Sequence, residues 1–143
     1  MITIKLENNI DKEIDDIIDN EFNKFAKKNG VVCDYEPFTF IARENEHIVG
    51  ILTGHSYYNE VHIGDLIVKE EYRNKKIGTK LVNAVEKYYK DKRFRNINLT
   101  TYGFQAPTFY EKCGFRLGAV LPEYYDTGDD CCIYCLNMKA DEF

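Results

Sequence analysis

The chain has 143 residues, a formal net charge of −5, 44% hydrophobic and 14% aromatic residues. That length is the usual size of one domain with its own core, and no apolar run approaches the ~18 residues needed to cross a bilayer. The acidic balance argues against nucleic acid as a general partner and weakly favours a cationic small-molecule or peptide substrate by steering.

The N-terminal MITIKLENN has neither a basic start nor an apolar core, so no secretory leader is expected and a cytoplasmic location is. The five cysteines are then expected to stay reduced. Residues 131–135, CCIYC, contain a C-x-x-C pair, but no second ligand pair accompanies it and it sits in an apolar run rather than at a helix start. Small core residues on a strand are the expectation, with no metal. No linker, repeat or low-complexity tract interrupts the chain, so residues 1–143 read as a single domain.

In chain order, residues 2–6, ITIKL, alternate as a first strand would. Ile10, Ile14, Ile17, Ile18, Phe22, Phe25 and Ala26 then recur at helical period, with Asp11 or Asn9 to cap the start and Gly30 to end the helix. Residues 38–43 and 47–57 read as strands around a turn at Glu44–Glu46. Residues 60–68, EVHIGDLIV, form the next strand, and Gly64 within it marks a bulge or a close backbone approach. A helix over about 77–91 presents Leu81, Val82, Val85, Tyr88 and Tyr89. A strand at 96–102, a short helix at 106–112 ending at Cys113-Gly114, and closing strands at 115–121 and 131–139 complete the order. The result is a mixed α/β sheet. The helix between 60–68 and 96–102 implies a parallel right-handed crossover, and ligands in such sheets bind at the carboxyl ends of parallel strands.

Residues 69–80 hold five Lys or Arg against two Glu, at the junction of a strand end and a helix start. Unpaired amides at a helix start, the helix dipole, a close-approach glycine at Gly78 and the Thr79 hydroxyl together suit a phosphate or diphosphate; a solvated basic turn is the equal alternative on these residues alone. The early glycine of a Walker loop and the three glycines of a dinucleotide fingerprint are absent.

Residues 65–81, DLIVKEEYRNKKIGTKL, resemble the acyl-CoA-binding motif of the GNAT N-acetyltransferase superfamily, [QR]-x-x-G-x-[GA] after a hydrophobic strand ending in Val. Arg73 and Gly78 match its first and last positions, and Lys76 stands at the middle glycine. Residues 104–115, FQAPTFYEKCGF, are similar to the family's A-x-x-F-Y-x-x-x-G-F segment through Ala106, Phe109, Tyr110, Gly114 and Phe115. Gly103 stands where the family often has Asn.

The resemblance implies a GNAT-like, mostly antiparallel sheet with a splayed parallel strand pair, flanked by helices. It implies acetyl-CoA wedged into the splay, its pantetheine paired with the backbone of Leu66, Ile67 and Val68 by strand addition. Arg73, Asn74, Lys75, Lys76, Ile77, Gly78 and Thr79 would hold the pyrophosphate, with Phe109 and Lys112 completing the cofactor set. The implied activity is direct transfer of acetyl from acetyl-CoA to a primary amine in a ternary complex, and homodimers are common in the family.

An alkylammonium, pKa about 10, must lose a proton before it attacks, and the departing thiolate gains from a donor. By family position the donor is Tyr110, which on the residues alone reads as a core aromatic. The base is His62, Glu60 or an ordered water; an imidazole titrating near pKa 6.5 suits the task, and a half-exposed strand histidine is the bland alternative. Asp65 lies on the opposite strand face unless a bulge turns it. Glu60 could bind the cation of an acceptor; the acids and tyrosines of 122–130, PEYYDTGDD, suit a cationic pocket, with a solvated loop as the equal alternative. Two other readings stand beside this one: a CoA-binding regulatory module that has lost catalysis, motivated by Lys76 and Gly103, and a nucleotide-phosphate-binding domain.

Overall fold

The computed structural model describes residues 1–103 and 106–139; Phe104 and Gln105, the start of the second motif segment, lie outside these. The backbone clusters into two units, Met1–Cys33 and Asp34–Phe143.

The first unit holds helix α1, Lys12–Lys28. Its start is closed by Asp11, whose carboxylate accepts the Ile14 amide at 3.0 Å, while Glu13 and Asp15 in the first turn and Lys27 and Lys28 in the last complement the helix dipole. At the other end Val31 N donates to Ala26 O at 2.9 Å and Gly30 N to Lys27 O at 3.3 Å, the pair of bonds of a Schellman closure. Residues 1–11 adopt no regular structure, so the strand expected at 2–6 is absent. Alternation alone does not make a strand; a ladder partner is needed, and the described sheet offers none to this segment.

The second unit is a six-stranded sheet in the order β1-β2-β3-β4-β6-β5, formed by β1 Glu36–Glu44, β2 His47–Tyr57, β3 Glu60–Val68, β4 Asn96–Tyr102, β5 Arg116–Leu121 and β6 Cys131–Asn137. Helix α2, Ile77–Tyr89, makes the crossover from β3 to β4, and α3, Pro107–Lys112, joins β4 to β5. Only β3 and β4 run parallel; every other neighbouring pair is antiparallel. The architecture is therefore the mixed α/β fold with one parallel pair that the motifs imply. Among the described residues no helix is long and apolar enough to cross a membrane.

The core lies under α2 and α3. Leu52, Val61, Ile63, Ile97, Leu99 and Tyr134 point to it from the strands, and Leu81, Val82, Val85 and Tyr110 from the helices. Each such aliphatic side chain contributes about 1.5–3 kcal/mol on burial. In β6, Cys131 and Cys132 are buried and Cys135 is exposed. Cys132 and Cys135 are an odd number of residues apart on one strand, so they point to opposite faces and the C-x-x-C spacing makes no pair.

Two irregularities position the site. On β2 and β3, Leu52 pairs with Leu66 but Gly54 pairs with Ile63, so Gly64 and Asp65 together oppose Thr53. This is a β-bulge at the glycine where the sequence anticipates one, and such a bulge bends and re-aims its strand. On the other side of β3 the parallel ladder holds only Glu60–Asn96, Val61–Ile97 and His62–Asn98. β4 stays paired with β6 along its whole length, from Asn96–Asn137 to Tyr102–Cys131. The bent strand therefore leaves the straight one, and the sheet opens beyond His62.

Candidate functional site

The opening is a cavity of about 730 Å³ with a wall from each strand: Gly64 to Val68 of β3 and Thr100 to Tyr102 of β4. Its volume is in the range of small-molecule sites. Leu66, Ile67 and Val68 pair with β2 on one side, and their other edge, past the last rung to β4, faces the cleft. Backbone amides and carbonyls on such an edge are unspent hydrogen-bonding groups, apart from Val68 O, which accepts from Arg73 Nε. Tyr110 and Phe109 of α3 line the same cleft.

At one end the cleft reaches Arg73 and Asn74, which also line a second cavity of about 420 Å³ with Lys76, Ile77, Gly78, Thr79, Phe109 and Lys112. Its loop winds through Asn74 at φ +64° and Lys76 at φ +63°. Lys76, which stands at the middle-glycine position of the motif it resembles, therefore holds a left-handed conformation that a glycine would adopt freely. A residue with a side chain does so at about 1–2 kcal/mol, and here it adds a cation. Where α1 has Asp11, α2 starts on Lys76 with no side-chain cap bond, so its first-turn amides have no carboxylate competing for them. Gly78, in that first turn, lies against α3; a Cβ there would come within 3.3 Å of the Phe109 ring.

Arg73 is anchored by its Nε, which donates to Val68 O at 3.0 Å, tying the loop to the end of β3. Thr79 lines this cavity, and its side chain lies near Cys113 at the end of α3, where burial raises the Cys113 pKa and Thr79 partly offsets it. Lys75 departs from its expected place: it lines a cavity between β1 and α2, with its Nζ 5.2 Å from the Tyr72 ring centroid.

Tyr110 is 7% exposed, and burial, with a smaller contribution from nearby Cys113, pushes its hydroxyl pKa up to about 12. It thus stays protonated across the physiological range. Its helix is pinned by Tyr134 of β6, whose hydroxyl donates to Glu111 Oε1 at 2.8 Å.

Glu60 and His62 do not line the cleft. They stand on the sheet face opposite α2, at the last paired rungs before the splay. There His62 Nδ1 lies 2.7 Å from Asn98 Oδ1, and Asn98 Nδ2 donates to Glu60 Oε2 at 3.0 Å. His55 of β2 stacks on His62 with ring centroids 5.2 Å apart. Burial and then the neighbouring His62 lower the His55 pKa, against an upward pull from Glu60. The bulge turns Asp65 onto this same face, where Thr53 Oγ1 donates to its carboxylate at 3.3 Å. A cavity of about 530 Å³ here is lined by Glu60, Asn96, Asn98, Thr100 and Asn137, among others. Thr100 lines both this cavity and the cleft, so the two adjoin.

Asn98 and Thr100 escape the sequence reading. The alternation in NINLTTY puts Asn96, Asn98 and Thr100 on one face, but only the rung between His62 and Asn98 brings them to the site. The 122–130 loop is held by its own bonds, Thr127 Oγ1 to Asp129 Oδ2 at 2.7 Å and Glu123 N to Asp130 Oδ1 at 3.1 Å. It meets the end of β4 through Gly103 N, which donates to Asp130 O at 2.8 Å.

The acetyltransferase (GNAT) family profile matches residues 8–115. An uncharacterised N-acetyltransferase of Methanocaldococcus jannaschii is 32% identical over 94 residues, which is 64% of this chain and 60% of that protein. The chain thus aligns with about three-fifths of that relative's length. A crystal structure of an acetyltransferase from Bacillus cereus superposes with a TM-score of 0.75 at 27% identity, covering 93% of this chain and 97% of that one. An aminoglycoside 6'-N-acetyltransferase crystallised with coenzyme A shares the fold at a TM-score of 0.63 and 21% identity, over 72% of this chain and 73% of its own. With two motifs on the elements that open the sheet and a family match over most of its length, this chain belongs to the GNAT acetyltransferase family.

Proposed function

We propose that the protein is an N-acetyltransferase that moves an acetyl group from acetyl-CoA directly to a primary amine of a small molecule or peptide. The observation that carries this reading is the cleft itself. Two cavities that share Val68, Arg73, Asn74 and Phe109 lie in sequence: one at an uncapped helix start, the other along a strand edge and reaching the buried, protonated Tyr110. A long thin ligand with an anionic end and a reactive tip matches that order of groups.

Acetyl-CoA supplies the acetyl group as an activated thioester. Arg73, the α2 amides, Lys76 and Lys112 hold the diphosphate, and Leu66 to Val68 pair with the pantetheine through their backbone. His62 takes a proton from the acceptor ammonium, directly or through water, and releases it to solvent. The freed amine forms the C–N bond as the C–S bond breaks. Tyr110 gives its proton to the departing sulfur and recovers one from the nitrogen, so that one proton is released per acetyl transferred. Glu60 serves by holding Asn98, and Asp65, brought to the same face, adds negative charge where a cationic acceptor arrives.

Release of free thiol from acetyl-CoA with a panel of alkylamines, hydroxylated amines, amino acids and peptides tests the reading. Acceptor-dependent thiol release with an acetylated product supports it. Tight coenzyme A binding with no turnover on any amine would make the protein a CoA-binding module instead, and a thermal shift with ATP but none with coenzyme A would remove the CoA reading altogether.

The phosphate role has its own test. Arg73→Ala weakens coenzyme A binding about tenfold or more, the worth of a charge-assisted bond, while binding of pantetheine, which lacks the phosphates, barely changes. Titration calorimetry with both ligands checks this, and equal losses contradict it.

A further inference from the structure

The Glu60–Asn98–His62 chain assigns a hydrogen-bonding direction that the sequence leaves open. Glu60 is a carboxylate and accepts only, so the Asn98 end 3.0 Å from it is the amide NH₂. The same NH₂ also donates to Asn96 Oδ1 at 3.1 Å. Glu60 fixes the amide in this orientation, with the Asn96 amide turned to match, and its carbonyl oxygen is the end 2.7 Å from His62 Nδ1. A carbonyl oxygen accepts, so Nδ1 carries the hydrogen. In the neutral ring the lone pair is then on Nε2.

The register makes this possible. The rungs Glu60–Asn96 and His62–Asn98 are the first and last of the parallel ladder, so the relay spans it and ends where the cleft begins. Asn98 also lines the polar cavity that adjoins the cleft at Thr100. The titratable groups around His62 include His55 on β2 with Tyr35 and Tyr57 beyond it, Glu60 beyond Asn98, Asp65 on the same face past the bulge, and Arg95 and Cys135 of the adjoining polar cavity.

We propose that Asn98 is a positioning residue: held by Glu60 and Asn96, it locks His62 in the Nδ1–H tautomer so that Nε2 is the atom that takes the acceptor's proton. This rests on the reading of His62 as the base.

Two measurements separate the inference from that reading. The first needs no substrate. Nitrogen-15 NMR of the imidazoles above their titration reads the tautomer of His62. A single Nδ1–H form in the parent protein, giving way to a mixture in Asn98→Ala, is expected; an Nε2–H form in the parent overturns the proposal. The second is the pH profile of kcat/KM on whichever amine proves active. Asn98→Ala lowers kcat about tenfold and leaves KM for acetyl-CoA unchanged. Asn98→Asp keeps an acceptor at Nδ1 but places a negative charge there, which favours the imidazolium and moves the acid limb about one pH unit upward. A purely structural asparagine would lower Tm in Asn98→Ala while leaving the His62 tautomer and the kcat of the folded variant unchanged. If Asn98→Asp melts like the parent with its profile unmoved while His62→Gln loses the acid limb, the role of Asn98 is overturned and His62 remains the base. If His62→Gln keeps both turnover and limb, the base reading fails and the positioning role falls with it.

Discussion

Tyr110→Phe lowers kcat at least about tenfold, the usual range for losing a positioned proton donor, while coenzyme A affinity barely changes. The substitution removes one oxygen from a side chain that is 7% exposed, keeps the ring that packs against Phe115 and Phe109, and leaves the cleft lining in place. The pKa shift gives the experiment a second readout. Burial raises the Tyr110 pKa to about 12, so the hydroxyl keeps its proton from neutral pH through pH 10 and is lost as a donor only as pH rises through that value. The parent protein is therefore expected to show no alkaline limb from Tyr110 between pH 7 and 10. Unchanged turnover in the variant would move the proton donor elsewhere in the cleft, and a tyrosine-like limb near pH 9 that vanishes in the variant would contradict the burial argument.

Gly54→Ala unfolds or severely destabilises the protein, by about 3 kcal/mol or more, although it lies outside both family motifs. A Cβ at Gly54 would stand 2.2 Å from the backbone oxygen of His62 and 2.6 Å from the Phe38 ring. The ring can turn, but the carbonyl belongs to the neighbouring strand and moves only if β3 moves. Gly64→Ala on the bulge is the control. Its Cβ would meet Thr53 Oγ1 at 3.4 Å, an ordinary contact, and the variant stays within about 1 kcal/mol of the parent. Thermal melts decide: a fall of about 10 °C for Gly54→Ala against a few degrees for Gly64→Ala. Equal, small shifts would mean that β2 and β3 are looser at this rung than their spacing implies. Because the clash lies at His62, a folded Gly54→Ala variant would also displace the proposed base.

Most of the element order can be read along the chain because its signals are local. The α2 stripe from Leu81 to Tyr89 and the stop at Gly30 need only helical periodicity and end-capping chemistry. The bulge at Gly64 is visible as a glycine inside an apolar strand, and the cationic loop as a run of Lys and Arg before a helix. The strand expected at residues 2–6 fails for the complementary reason, since alternation states a preference that only a partner strand can satisfy.

What the amino-acid sequence determines by itself is therefore the order of the elements from α1 onward, the cationic loop from Arg73 and the tyrosine at 110, each set by neighbours within a turn or two. The tertiary structure decides which of those groups meet. One extra residue opposite Thr53 turns Asp65 to the face of His62, and a parallel ladder of only three rungs opens the cleft and brings Asn98, 36 residues away, against His62. Strand register shifts every side chain from one face to the other with each single step, and no local pattern encodes it across a crossover helix.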